Sequence, residues 1–221
     1  MGVSLWLIPP AHMRQKFKEI MDNPMRFGAV APLDRFEPHI TLTTIDSSDP
    51  NYVKILRDVI PKIGKTSVRV DFDYVGMEET YFRSCFLQAR STPELELLMT
   101  KINEALGIME PPPKFPHQSV FYVPDERSRE RTVLTSTLGG GIGSQQLKAW
   151  SYDATHIAIA FCDGECKDWK ILECIPLVRP AFVNSSRFSF FNHAIPTGII
   201  EDEARHYRLA KSMSLSSIIM K

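Results

Sequence analysis

Runs of alternating apolar and polar residues, each followed by apolar residues three or four apart, recur twice along the chain. Val3–Ile8 reads as a strand stopped by Pro9-Pro10, because proline cannot donate to a ladder. Residues 12–23 place Met13, Phe17, Ile20 and Met21 on one helical stripe. Residues 36–44 read as a strand with Ile40 and Leu42 on one face and His39, Thr41 and Thr43 on the other. A helix is predicted over 50–61 through Val53, Leu56 and Ile60. A strand over 68–74 follows, where Val68, Val70, Phe72 and Tyr74 alternate with charged residues, and its partner lies over 81–90.

The second half repeats this order. Ser91 and Glu94 fit a capping box and Pro93 a first helical turn, with Leu95, Leu98, Ile102 and Leu106 as the buried stripe. A loop over 109–113 and a strand over 115–123 come next. A helix capped by Asp125 then runs to about Leu138. The glycine-rich run 139–143 reads as a flexible loop; without a preceding strand or a Lys-Ser/Thr pair it is no phosphate-cradling P-loop. Strands at 157–161 and 169–177 complete the pattern, which fails beyond Arg179, with one more helical stretch at 201–211. The expected organisation is a domain over 1–180 and a C-terminal extension over 181–221 of no assigned role. The expected fold class is α+β: two pseudo-symmetric lobes, each a small antiparallel sheet backed by helices, with a central cleft.

Of the six histidines, only His39 and His117 are preceded by proline and followed at the second position by Thr or Ser. They stand as Pro38-His39-Ile40-Thr41 and Pro116-His117-Gln118-Ser119, 78 positions apart, each early in a predicted strand. That is a repeat of a supersecondary unit. Residues i and i+2 of a strand share a face, so each histidine projects beside a hydroxyl. Two such strands facing one cleft could hold a phosphate and supply a matched acid and base, since imidazole exchanges protons near neutrality. The two proton-transfer roles are interchangeable at this level; His117 as base and His39 as acid is the working assignment. Trp6 is read as core or as a cleft aromatic, and His156, within an alternating strand, as a hydrogen-bonded core or cleft histidine.

Composition narrows the ligand. Lys+Arg and Asp+Glu are equal at 26 each, so no overall basic field would hold a long nucleic acid. A small phosphate ligand fits better. The apolar start is too short for a signal peptide, and Trp6 stands where a myristoylation motif wants Ser or Thr. No run approaches a membrane span, and nothing reads as an oligomer seam, so an intracellular, cytoplasmic monomer is expected. Cys85, Cys162, Cys166 and Cys174 are expected as free thiols. His156 with the last three invites a zinc reading, but the spacing matches no usual zinc pattern. No metal or cofactor is expected.

These motifs resemble the two-histidine (2H) phosphoesterase superfamily, and most of all the cyclic phosphodiesterases of plants and fungi. The resemblance rests on Ser4-Leu5-Trp6, on 36–41, on 86–94 and on Pro116-His117-Gln118-Ser119 with Tyr122. It covers residues 1–180. It implies His39 and His117 as catalytic, Thr41 and Ser119 on phosphate oxygens, Tyr122 bonded to the ligand and Trp6 lining the cleft near the base. It also implies metal-free hydrolysis of 2′,3′-cyclic nucleotides or of ADP-ribose 1″,2″-cyclic phosphate from tRNA splicing. Peripheral Golgi association, known in some fungal relatives, is the alternative location. The competing readings are an RNA-end 2′,3′-cyclic phosphodiesterase or 2′–5′ RNA ligase-like enzyme, and a non-catalytic nucleotide-binding module. Gln118 is polar where the family is usually apolar, which would suit a less buried face. Tyr122 has the wrong parity relative to His117, so its role requires a bulge.

Overall fold

A computed structural model describes residues 2–45, 51–64 and 66–177, the side chains of 142–146 excepted. The extension over 181–221 and the helix at 201–211 lie outside the described residues. Strand β1 (Val3–Ile8) is buried on both faces and lies between β2 (Ile40–Ile45) and β8 (His156–Phe161). Its odd residues Val3, Leu5 and Leu7 enter the main core, while Trp6 and Ile8 join a second cluster on the other face with Ala158 and Ala160. Strand β9 (Lys170–Pro176) completes this lobe at the edge. The other lobe pairs β4 (Phe72–Gly76), β5 (Cys85–Ala89) and β6 (His117–Phe121). All these pairings are antiparallel, and the architecture is α+β. The two lobes are parts of one seven-stranded sheet, joined among the described residues through one residue pair, Ile40 with Gln118.

Each half of the chain has the order β-α-β-α-β-β. The first is β1, α1 (Ala11–Met21), β2, α2 (Tyr52–Val59), β3 (Val68–Val70) and β4. The second is β5, α3 (Pro93–Leu106), β6, α4 (Arg129–Gln146), β7 (Tyr152–Ala154) and β8. The lobes are nevertheless not the chain halves. Each half gives its last strand to the other's sheet, β8 beside β1 and β4 beside β5. The helices cross as well, α1 against β6 and α3 against β2, and β3 pairs with β7. Exchange of the halves leaves this pattern of pairing unchanged, and the equivalent residues Ile40 and Gln118 sit opposite each other at its centre.

Several elements differ from the sequence pattern. The segment before β2 is irregular, and His39 immediately precedes the ladder. The run 68–74 divides into β3 and β4, which join different sheets. The strand expected over 81–90 begins only at Cys85, after a 3₁₀ turn Tyr81–Arg83 held by Ser84 Oγ on the carbonyls of Tyr81 (2.5 Å) and Thr80 (3.1 Å). Thr92, rather than Ser91, caps α3, accepting from the Leu95 N–H at 3.3 Å. Asp125 lies in a turn before α4 and holds the buried Arg131. The run 139–143 is helical, inside α4. Leu134, Leu138 and Leu147 are buried on either side of it, so tertiary packing overrides the weak propensity of glycine.

Candidate active site

The two motif strands are built alike. Trp6 pairs with Thr41 and Leu5 with Thr43, leaving Leu42 as an extra residue in β2. Phe86 pairs with Ser119 and Cys85 with Phe121, leaving Val120 extra in β6. Each bulge follows the hydroxyl of its His-x-Thr/Ser motif and reverses the alternation beyond it. Thr43 and Phe121 therefore turn inward, while Thr44 and Tyr122 turn to the cleft. His39, Thr41 and Thr44 on one strand match His117, Ser119 and Tyr122 on the other. The parity objection to Tyr122 is resolved by this bulge, and the expected place of Thr43 beside His39 is taken by Thr44.

The neighbouring strands repeat the match. Trp6 lies against His39 with ring centroids 3.8 Å apart and planes 12° from parallel, and Phe86 lies 5.1 Å from His117. A small residue stands opposite each aromatic: Ala158 opposite Trp6 and Gly76 opposite Phe86. A Cβ on Gly76 would come within 2.9 Å of the Phe86 ring.

All six residues singled out from the sequence, His39, His117, Thr41, Ser119, Tyr122 and Trp6, line one cleft of about 620 Å³. Their surroundings differ. Trp6 is 2% exposed and covered on one face by His39, so it orients the histidine; Phe82, 40% exposed, and Trp169 carry more open ring surface in the cleft. Ser119 Oγ donates to the Phe82 carbonyl at 3.2 Å. Burial pushes the Tyr122 phenol well above its ordinary range, so it stays protonated as a donor. Its ring stacks on Phe36 at 3.9 Å. Gln118 is fully buried, contrary to the less buried face expected for it; its amide bonds to the Ser119 carbonyl (3.2 Å) and to the Tyr152 hydroxyl (3.5 Å).

His39 Nδ1 lies 2.6 Å from the Glu37 carbonyl oxygen, which can only accept, so Nδ1 carries the proton and Nε2 keeps its lone pair. The Glu37 carboxylate is held by Arg14 (3.3 Å) and Lys18 (2.7 Å) of α1, which fixes that carbonyl. Burial lowers the His39 pKa to about 4; His117 adds to the shift, and the Glu37 carbonyl opposes it. His117 is also shifted down, first by burial and then by Arg83, against the Phe115 carbonyl, Glu78 and the Phe82 backbone. Both imidazoles are thus neutral in the free protein near pH 7.

Residues 1–177 match the family described as cyclic phosphodiesterase-like protein. The chain belongs to that family. It is a family of 2H phosphoesterases. Escherichia coli LigT without ligand superposes with a TM-score of 0.52 at 15% identity, over 80% of this chain and 98% of LigT. LigT complexed with 3′-AMP gives 0.52 at 13%, and LigT complexed with NADP+ gives 0.53 at 12%, each over the same shares of the two chains. At such identities the likeness establishes the fold. A comparison with curated proteins finds no significant match.

In this phosphoesterase, sequence reasoning missed Ser4, Thr44, Phe82, Arg83 and Trp169, all lining the cleft. Ser4 shares the parity of Trp6 and could have been found; Thr44 becomes readable only once the bulge is known. Arg83 carries no motif signal. Among the described residues no group of three or more His, Cys, Asp or Glu could hold a metal. His156 is exposed at the start of β8, bonded to the neighbouring Thr155 hydroxyl at 2.9 Å and outside the cleft, contrary to the core or cleft place expected for it; Cys174 is exposed while Cys162 and Cys166 are buried. No helix among the described residues is long and apolar enough to cross a membrane.

Proposed function

We propose that this protein hydrolyses the cyclic phosphate of a 2′,3′-cyclic nucleotide or of ADP-ribose 1″,2″-cyclic phosphate, leaving a 2′- or 1″-monophosphate. The observation that carries this reading is the convergence of two matched His-hydroxyl strands on one cleft whose volume suits a single small ligand. A water oxygen attacks phosphorus in line with the departing ribose oxygen, whose P–O bond breaks. The water proton passes to one imidazole, and the other imidazole protonates the departing oxygen. The strained five-membered ring is already an activated ester, so no cofactor is needed.

The protonation geometry favours His39 as base, with its lone pair on Nε2, and His117 as acid, the reverse of the working assignment. Thr41 and Thr44 supply hydroxyls beside His39 for the phosphate oxygens, as Ser119 and Tyr122 do on the His117 strand. Phe82 and Trp169 offer ring surface for a nucleobase. Arg83 is the one permanently charged side chain among the described residues lining the cleft, so the lining offers no basic strip for a long RNA.

The decisive assay is purified protein with 2′,3′-cyclic AMP in EDTA. Turnover to a 2′-phosphate is expected, with His39→Ala and His117→Ala each lowering kcat by about 10²–10⁴. No turnover by the intact protein, or full activity in either variant, overturns the reading. Loss of turnover to EDTA would overturn its metal-free part.

A further inference from the structure

The repeat makes the two histidines equivalent in sequence and strand position, yet hydrolysis as proposed above needs them unequal. Among the described residues His39 has a single partner on Nδ1, a carbonyl. His117 Nδ1 lies between a carbonyl, Phe115 O at 3.3 Å, and a guanidinium, Arg83 Nη1 at 3.2 Å. The same Nη1 is 3.4 Å from Phe115 O. A guanidinium only donates, and each Nη carries two hydrogens. Nη1 satisfies both neighbours at once when Phe115 O and His117 Nδ1 each accept from it. With a proton on Nδ1, two N–H groups would face each other. In the neutral imidazole the proton therefore goes to Nε2, opposite to the tautomer of His39.

Arg83 is well placed for this. It follows from the 3₁₀ turn that replaces the start of the expected strand, its Nη2 is anchored on Glu78 Oε1 at 2.7 Å, and its guanidinium lies 4.9 Å from the centre of the Phe86 ring. The position equivalent to Phe86 is Trp6, and three residues before it lies Val3, so the first half has no counterpart of Arg83. We propose that Arg83, through its contact with Nδ1 of His117, is the positioning residue that breaks the equivalence of the two halves, keeping the proton of His117 on Nε2 while His39 keeps a lone pair there. The proposal rests on the hydrolytic reading for its catalytic consequence but not for the tautomers themselves.

The charged and titratable groups acting on His117 are Arg83 and Glu78, with His39 in the same cleft. When the phosphate anion draws a second proton onto His117, Nδ1–H has the Phe115 carbonyl as acceptor. The adjacent cation then favours release of the Nε2 proton to the departing oxygen. Without Arg83 the imidazolium would be a weaker acid, and its titration would move to higher pH.

The test has two arms. Long-range ¹H–¹⁵N NMR of the ring nitrogens in the free, unmodified protein reads the tautomers without any substrate. The expected result is Nδ1–H for His39 and Nε2–H for His117; Nδ1–H on His117 would overturn the proposal whether or not the protein is a hydrolase. In the second arm, Arg83→Met should lower kcat about 10- to 100-fold, change KM by less than about threefold, and move the alkaline limb of the pH profile upward. Arg83→Lys should restore part of the rate and return the limb toward its original position. A raised KM with kcat and the limb unchanged would make Arg83 a phosphate-binding residue only, and would overturn the positioning role. Failure of the intact protein to turn over cyclic phosphates would sink the hydrolytic reading alone, leaving the tautomer assignment standing on the NMR arm.

Discussion

An imidazole taken out of water is more stable neutral than charged, and both cleft histidines follow that rule to different degrees. His39, 5% exposed and locked by Glu37, has its pKa lowered to about 4, and His117 is lowered as well. For kcat/KM, which reports the free protein, the base limb should lie near pH 4 and the acid limb below the ordinary imidazole value of 6.5. Cyclic-nucleotide hydrolysis should therefore be fastest on the acid side of neutrality, and a pH profile peaking above pH 8 would contradict the assignment. The same shift links His39 to stability. Its folded pKa lies below the unfolded one, so the unfolded chain binds more protons between about pH 6.5 and 4. The contribution is fully present above pH 6.5 and lost as the pH falls to about 4. Its size is of order 3 kcal/mol, from about 1.4 kcal/mol per unit. His39→Gln should flatten the fall of denaturation midpoint over that window compared with the unmodified protein; an unchanged slope would remove His39 as its source.

The elements show where pattern reading works and where it stops. Each motif strand was visible from its Pro-His-x-Thr/Ser signature, and i, i+2 parity correctly placed His39 with Thr41 and His117 with Ser119 on the cleft face. A period of two cannot show an inserted residue, so Thr44 was missed in favour of Thr43 while Tyr122 pointed to its bulge only through the family resemblance. The glycine run of α4 failed for another reason: local propensity argued for a loop, while Leu134, Leu138 and Leu147 bind the surrounding helix to the core. A Cβ at Gly140 or Gly141 would meet no described residue within 4 Å. Gly140→Ala and Gly141→Ala should each raise unfolding free energy by about 0.5–1 kcal/mol in urea denaturation. Destabilisation by either would contradict a helical backbone there.

At the scale of the whole molecule the halves are interleaved, each completing the other's sheet, so the two histidine strands cannot separate without breaking both lobes. Their meeting point is the pair Ile40 and Gln118, one residue beyond each histidine. Gln118 is buried with its amide nitrogen on a carbonyl. Gln118→Glu would set a carboxylate oxygen against that carbonyl, and should cost about 3 kcal/mol or more by denaturant titration and make unfolding easier as pH rises. Stability within about 0.5 kcal/mol of the unmodified protein would show that the junction tolerates charge.

By itself the sequence determined that two like units each place a histidine beside a hydroxyl, because side-chain direction within a strand is a local property. It also determined the α+β class, through periodicity repeated in the same order twice. Only the tertiary structure decided that the halves exchange strands, that bulges bring Thr44 and Tyr122 to the cleft, and that Arg83 stands at His117 with no counterpart at His39. Those depend on which strands pair and in what register, on the room a buried ring finds across the sheet, and on contacts between residues 34 positions apart such as Arg83 and His117. A local pattern in the chain contains none of these.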